Sequence, residues 1–237
     1  MTVLILDLKT VPDPEVGKRL LALEKFSDAE AVLAMKTLRV AGHQSNAVPS
    51  QQRRVVAAAL VVASHAEFTV QEFTAGTDES QMLNAIEQRV RATHAPAWAW
   101  DGMRGYRAQL LARALATGVA MPAVFAAKGP QSLAAHFGFS PENAPLAELA
   151  AVHGLPHRLG LRAADTEAAH ARGDHQKLLA GSAADALIAY LLSIALKAAT
   201  GELDERAHLA AREQVCSWLR AQTAAHWQQF HAAWKAL

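Results

Sequence analysis

Residues 4–13 of the chain read LILDLKTVPD, and the interpretation of the fold starts from this stretch. Residues 3–6 are all apolar, which predicts a buried strand that ends near Asp7 and Lys9. Because side chains alternate across a strand, Asp7 and Lys9 point to the same face. The stretch therefore predicts that a carboxylate and an ammonium lie side by side at the end of a core strand.

Composition favours a soluble globular protein. The chain has 237 residues, of which 51% are hydrophobic and 19% charged, so it can bury a sizeable core. Neither an apolar run of about eighteen residues nor a basic N-terminal region occurs, so no membrane span, membrane partner or signal peptide is predicted. The single cysteine, Cys216, excludes an intrachain disulfide and favours a cytoplasmic location. The formal net charge of +1 neither requires nor excludes a nucleic-acid partner.

The apolar pattern predicts a mixed sheet. Residues 55–63 and 67–73 read as a second and a third strand, and the short gap between them predicts an antiparallel hairpin. A short buried strand is predicted within residues 95–102. The order of strands and helices then predicts an α/β protein whose helices pack on the faces of the sheet.

The helices follow from periodicity and from their end signals. Residues 80–93 carry apolar side chains at helical spacing, and a later helix ends at Gly118. A long apolar helix is predicted at residues 177–200 and is ended by Gly201. Residues 207–237 are predicted to form one or two amphipathic helices.

Four stretches in this order resemble a known family, the predicted 3′–5′ exonucleases related to the proofreading domain of family-B DNA polymerases. The stretches are LILDLKTVPD, RRVVAAALVV, WAWDGMRGYRAQLLARAL, and LAELAAVHGLPHRLG with the following GDHQKLLAGSAADALIAYLL. The resemblance implies a ribonuclease-H-like exonuclease fold, with a mixed central β-sheet flanked by α-helices. It implies that this domain spans residues 1–200 and that residues 201–237 form a C-terminal helical extension.

The resemblance also implies a site with an incomplete set of catalytic residues. In the family, four acidic side chains bind two divalent metal ions and a tyrosine orients the attacking water. Asp7 and Asp185 stand where the family has two of the acidic ligands, and would hold the metal if any metal binds. Lys9 stands at a glutamate position, Tyr106 at an aspartate position and Gly181 at the tyrosine position.

Lys9 is the departure with the largest electrostatic consequence. An ammonium held within about 4 Å of a divalent cation in a partly buried site is strongly repelled. The same ammonium can instead neutralise Asp7, and also Asp185, without a metal. We therefore predict that the Lys9 nitrogen lies within salt-bridge distance of one of these carboxylates.

A second group of residues is predicted to contact nucleic acid, namely Asp101, Gly102, Arg104 and Arg107. Asp101 is open to two interpretations, as a replacement for a lost metal ligand or as a turn residue before Gly102. The arginines are likewise open to two interpretations, because scattered basic residues on a near-neutral protein are usually solvated surface.

The C-terminal segment carries Trp218, Trp227 and Trp234 largely on one helical stripe. Such a stripe usually docks on its own domain, but aromatic side chains are also enriched at protein interfaces. Contact with the rest of the chain and contact with a homodimer or protein partner are both retained as predictions.

The function predicted from the sequence is a non-catalytic scaffold, a pseudoenzyme of the exonuclease family that binds single-stranded DNA, RNA or a protein partner. No cofactor is expected under this interpretation. One alternative is an active exonuclease that uses Mg²⁺ or Mn²⁺ with a relocated carboxylate such as Asp101. The other is an interaction or dimerisation module that works through the tryptophan-bearing C-terminal helix.

Overall fold

A computed structural model of the chain describes residues 2–43, 47–74, 76, 78–100, 103–126, 132–139 and 145–235, with the backbone alone for 103–105 and 235. Within these ranges four strands form one sheet in the order β3-β2-β1-β4. The strands are β1 (Val3–Pro12), β2 (Arg53–Ala63), β3 (Phe68–Thr74) and β4 (Ala97–Trp98). β1 pairs with β2 and β2 with β3 in antiparallel register, whereas β4 is parallel to β1. The predicted hairpin and the mixed α/β sheet are confirmed.

Helices surround this sheet. Those of the described residues are α1 (Pro14–Leu21), α2 (Asp28–Ala41), α3 (Glu79–Thr93), α4 (Met103–Thr117), α5 (Pro122–Phe125), α6 (Leu133–His136), α7 (Leu146–Val152), α8 (Ala163–Ala171), α9 (His175–Ala199), α10 (Glu205–Arg220) and α11 (Ala225–Lys235). The end signals act as predicted at α4, where Gly118 follows the last turn with a φ of 71° that favours glycine. The C-terminal amphipathic segment forms two helices, α10 and α11.

The first strand is longer than its apolar run predicts. β1 continues through Asp7 and Lys9 to Pro12, so the two charged residues lie within the strand and not at its end. Asp7 pairs with Ala59 and Lys9 with Ala57, and the register shifts between Lys9 and Thr10. The end of the strand was predicted from the end of its apolar run. Charged side chains interrupt that run, but the backbone pairing with β2 continues to Pro12.

The sheet separates two apolar layers. Leu4, Leu6 and Leu8 of β1 face a layer formed with α3, α4 and α5. Ile5 faces the opposite layer, which contains the buried side of α9. Because of the period of two, Asp7 and Lys9 share the face of Ile5 and point toward α9. β4 pairs only with Leu4 and Ile5, so the part of β1 that holds Asp7 and Lys9 extends past the end of β4.

α9 is the central helix of the second layer. By length and composition it could cross a membrane, but 78% of its most apolar window is buried inside the fold. It packs on β1, β2 and β3 and on the neighbouring helices. The apolar surface of α9 is therefore covered mostly by the rest of the fold.

The two C-terminal helices pack on α9 and on β3. Val215, Leu219, Trp227 and Phe230 are buried in the same core cluster as Tyr190 of α9. Trp218 and Trp234 are partly buried against it, and the Trp218 ring lies 4.8 Å from the Trp227 ring. The stripe therefore contacts its own chain, and a partner contact through Trp218, Trp227 and Trp234 stays a prediction.

Candidate functional site

A cleft of about 430 Å³ opens beside the central part of β1. β1, α4, α9 and the segment that leads into α8 contribute its walls. The lining includes Asp7, Lys9, Thr10, Arg53, Trp100, Tyr106, Leu146, His157, Gly160, Leu161, Arg162, Thr166 and Asp185. Side chains that are far apart in sequence, from β1 and from α9, thus meet in one place.

Asp7, Lys9 and Asp185 form one charged cluster at the bottom of this cleft. The Lys9 Nζ lies 3.0 Å from Asp7 Oδ2 and 2.5 Å from Asp185 Oδ2. The side chains are 8% (Lys9), 14% (Asp7) and 16% (Asp185) exposed, so water screens them weakly. The predicted salt bridge of Lys9 is present, and it joins both carboxylates.

The charge state of the cluster follows from these contacts. Burial alone would lower the pKa of the Lys9 ammonium, but the charges of Asp185 and Asp7 outweigh it and raise this pKa above its ordinary value. Burial and the charge of Asp7 raise the pKa of the Asp185 carboxyl, while Lys9 acts in the opposite direction. Lys9 is therefore a fixed cation at neutral pH, shared between two acids.

Neutral donors occupy the other sides of the carboxylates. Ser182 Oγ donates to Asp7 Oδ2 at 2.8 Å, and the Tyr106 hydroxyl donates to Asp7 Oδ1 at 3.3 Å. The Leu161 backbone N–H donates to Asp185 Oδ2 at 3.3 Å. Each carboxylate is thus held by hydrogen bonds as well as by Lys9, which restricts its reorientation toward a new ligand.

Close packing fixes the segment that covers Asp185. A Cβ atom on Gly160 would lie 1.9 Å from Asp185 Oδ1, so only glycine allows this approach of the backbone to the carboxylate. A Cβ atom on Gly181 would lie 2.3 Å from Leu161 Cγ. The space beside Gly181 is therefore filled by Leu161, and a tyrosine side chain has no room there.

The comparison with protein families now bears on this geometry. A family model described as "Predicted 3'-5' exonuclease related to the exonuclease domain of PolB" matches residues 131–234, somewhat less than half of the chain. Residues 131–234 are therefore similar to this exonuclease family. The match includes α9 with Asp185 and both C-terminal helices, and so runs through the predicted domain boundary at residue 200, which stays a prediction. No curated protein and no solved structure matches the chain.

The exonuclease family implies divalent metal ions, and the residues of this cleft do not fit them. Two ions about 3.5–4 Å apart need several hard oxygen ligands each. Lys9 places a positive charge between the two carboxylates that would be ligands. Among the residues that the structure describes, no group of three or more His, Cys, Asp or Glu side chains could hold a metal ion. We therefore derive no metal-dependent step for this site.

The structure brings together only part of the predicted site. Asp7, Lys9, Tyr106 and Asp185 line one cleft, whereas Gly181 lies behind Leu161 and does not line it. Asp101 and Gly102 lie outside the described residues, and so does the side chain of Arg104. The relocated-carboxylate interpretation of Asp101 therefore stays a prediction.

The arginines whose side chains are described do not line one common groove. Arg107 donates to the Phe125 carbonyl and lies 5.2 Å from the Phe125 ring, which places it toward α5 and not among the described residues that line the cleft. Arg113 is buried in ion pairs with Asp13 and Glu79. Arg53 lines the cleft, where it bonds to Thr10 and Glu167.

Three residues of the site were missed from the sequence. Ser182 lies three positions before Asp185 on the same helix face, and this spacing could have indicated it. Gly160 and Leu161 come from a turn whose contact with α9 depends on how the chain closes over long distance. No local pattern indicates that contact.

Proposed function

We propose that the chain is an exonuclease-like module that binds single-stranded nucleic acid in the cleft without a metal ion and without cleaving it. The observation that carries this proposal is the Lys9 ammonium at 3.0 Å and 2.5 Å from Asp7 and Asp185. As a side chain, it neutralises carboxylates at the positions where the family binds metal ions. Among the described residues that line the cleft, the carboxylates are Asp7 and Asp185, which are fewer than two metal ions need.

The lining of the cleft supports a nucleic-acid ligand. Tyr106 offers a partly buried aromatic side chain, and stacking on aromatic side chains is a common mode of single-strand binding. Arg162 also lines the cleft and its side chain is 88% exposed; the ion pair that it forms within the described residues is an exposed contact with Asp165, so it can turn to a phosphate. Together they combine an aromatic surface with an exposed positive charge, as single-strand binding requires.

The test is a binding and cleavage experiment on one labelled oligonucleotide. We expect single-stranded DNA or RNA to bind at low salt, with an affinity that falls as salt increases and does not depend on Mg²⁺ or Mn²⁺. Arg162→Gln should weaken binding. Arg220→Gln is the matched control, because Arg220 is also exposed and paired with an acid but lies on α10.

Two results would contradict the proposal. Degradation that requires Mg²⁺ or Mn²⁺ and disappears in Asp7→Ala would show the active exonuclease of the alternative interpretation. The absence of any binding at low salt would remove the nucleic-acid ligand.

A further inference from the structure

A second cavity lies at the start of β2, where Arg54, Val55 and Val56 are among its lining residues. Its volume is about 220 Å³, below the roughly 300–1,000 Å³ typical of sites for drug-sized ligands. Five basic side chains line it, namely Arg19, Arg54, Arg113, His170 and His175. Its size suits a small ion or a single functional group.

Two adjacent arginines at the start of β2 have different surroundings. Arg53 lines the first cleft and its charge is compensated by Glu167 at 3.2 Å. Arg54 lines the second cavity, and its Nη2 lies 2.9 Å from His170 Nε2. Within the described part of the chain Arg54 has no carboxylate partner, which is unusual for a guanidinium that is mostly removed from water.

The acids that line the same cavity are already engaged. Asp13 and Glu79 both bond to Arg113, each at 2.5 Å. Glu15 contacts Lys18 at 3.3 Å, and Lys18 lies closer to Asp28, at 2.6 Å. Arg19 is exposed and forms no ion pair with a described residue. The three arginines and three acids that line the cavity balance in formal charge, and Arg19 and Arg54 are the arginines among them that form no ion pair with a described residue.

The contact between Arg54 and His170 leaves two further donors without acceptors. Because a guanidinium only donates, His170 Nε2 accepts and the neutral ring carries its proton on Nδ1. His170 Nδ1 and Arg54 Nε are buried and have no hydrogen-bond partner among the described residues. Burial and the charge of Arg54 lower the pKa of His170, which agrees with a neutral ring.

We propose that this second cavity binds a phosphate group through Arg54 and His170, with Arg19 at its entrance. A phosphate is doubly charged, accepts several hydrogen bonds, and fits the paired donors of a guanidinium. Because both unpartnered donors are buried, the two side chains must turn for these donors to reach its oxygens. The ligand is either inorganic phosphate or the phosphate of a monoester, and the site does not depend on nucleic-acid binding in the first cleft.

The test is calorimetric titration of the full chain with inorganic phosphate at constant ionic strength. We expect saturable binding that Arg54→Gln weakens by about tenfold or more, since hydrogen bonds to charged groups contribute about 1.5–3 kcal/mol. Arg53→Gln is the matched comparison from the neighbouring position and should change the phosphate affinity by less than about twofold. Circular dichroism establishes that each variant is folded.

Adenosine 5′-monophosphate and adenosine separate the sources of the ligand. Tighter binding of the monophosphate than of inorganic phosphate identifies a phosphomonoester, and the reverse identifies free phosphate. Adenosine binding as tightly as its monophosphate would overturn the proposal, because recognition would then rest on the base and sugar.

Other outcomes also decide against the site. Undiminished phosphate binding by folded Arg54→Gln, or loss of binding in Arg53→Gln alone, would place the ion elsewhere. The absence of saturable binding to the natural protein up to about 10 mM phosphate would also contradict the proposal. If Arg54→Gln does not fold, Arg19→Gln is the deciding variant, because Arg19 is exposed. The phosphate affinity of Arg19→Gln should be about threefold lower than that of the natural protein. An unchanged affinity would overturn the proposal.

Discussion

Lys9 is the residue on which the electrostatics of the first cleft depend. It lies between two carboxylates that would otherwise repel each other in a site with little access to water. Lys9→Met keeps much of the apolar stem but removes the charge, so Asp7 and Asp185 would remain buried with only neutral donors. We expect the free energy of unfolding to fall by about 3–5 kcal/mol, measured by urea unfolding at pH 7.

Arg220→Met is the control for this substitution, because Arg220 pairs with Glu213 on an exposed surface and should change stability by less than about 1 kcal/mol. A loss in Lys9→Met as small as that in Arg220→Met would contradict the role given to Lys9.

The pH dependence of stability gives a second check. Because the pKa of Lys9 is raised on folding from 10.5, its stabilising contribution is complete below that pH and is lost at higher pH. The stability difference between the natural protein and Lys9→Met should therefore shrink above pH 10.5.

The packing of α9 against the turn at Gly160–Leu161 distinguishes this site from the family pattern. In an unobstructed helix Gly→Ala stabilises by up to about 1 kcal/mol. At Gly181 the new Cβ would lie 2.3 Å from Leu161 Cγ, and we expect Gly181→Ala to destabilise instead, by about 1–3 kcal/mol. Urea unfolding of the single variants and the double variant with Leu161→Gly measures the coupling between the two positions.

In the Leu161→Gly background the clashing atoms are absent, so Gly181→Ala should become neutral or stabilising. If Gly181→Ala destabilises the protein equally with Leu161 and with Leu161→Gly, then Leu161 does not fill this space. The contact also predicts that Lys9→Glu, Tyr106→Asp and Gly181→Tyr together cannot rebuild the family's site unless Leu161 moves.

The elements that the sequence predicts well are those with a regular apolar period, such as β2, α3 and α9. The salt bridge of Lys9 was also predictable, because alternation along β1 and the resemblance at Asp185 both pointed to one location. The extension of β1 to Pro12 was missed because charged residues interrupt its apolar run. The closure of Gly160 and Leu161 over α9 was missed because it depends on tertiary packing alone.

The C-terminal helices contribute to the same core cluster as α9. Trp227 is 4% exposed and contacts the rings of Trp218 and Phe230. Trp227→Ala should lower the free energy of unfolding by about 3–5 kcal/mol, because it leaves a large cavity. Trp234→Ala, at a partly buried position, should cost less than about 2 kcal/mol.

Equal losses in the two tryptophan variants, measured by urea unfolding, would contradict the docking of α11 on α9.

The same packing changes how self-association should be tested. Removing the residues after Gly201 would uncover Tyr190 and Phe68, so the truncated chain would expose core surface. Sizing of Trp234→Ala against the natural protein leaves the core intact and tests the partner contact directly.

The ammonium of Lys9 is covalently attached, so its charge does not depend on a metal ion taken up from solution. A site that takes its positive charge from a dissolved ion is emptied by a chelator and varies with the free concentration of that ion. Here the charge is made with the polypeptide and stays as long as the chain is folded. At equal ionic strength, ligand binding in this cleft should therefore be the same in EDTA as in millimolar magnesium.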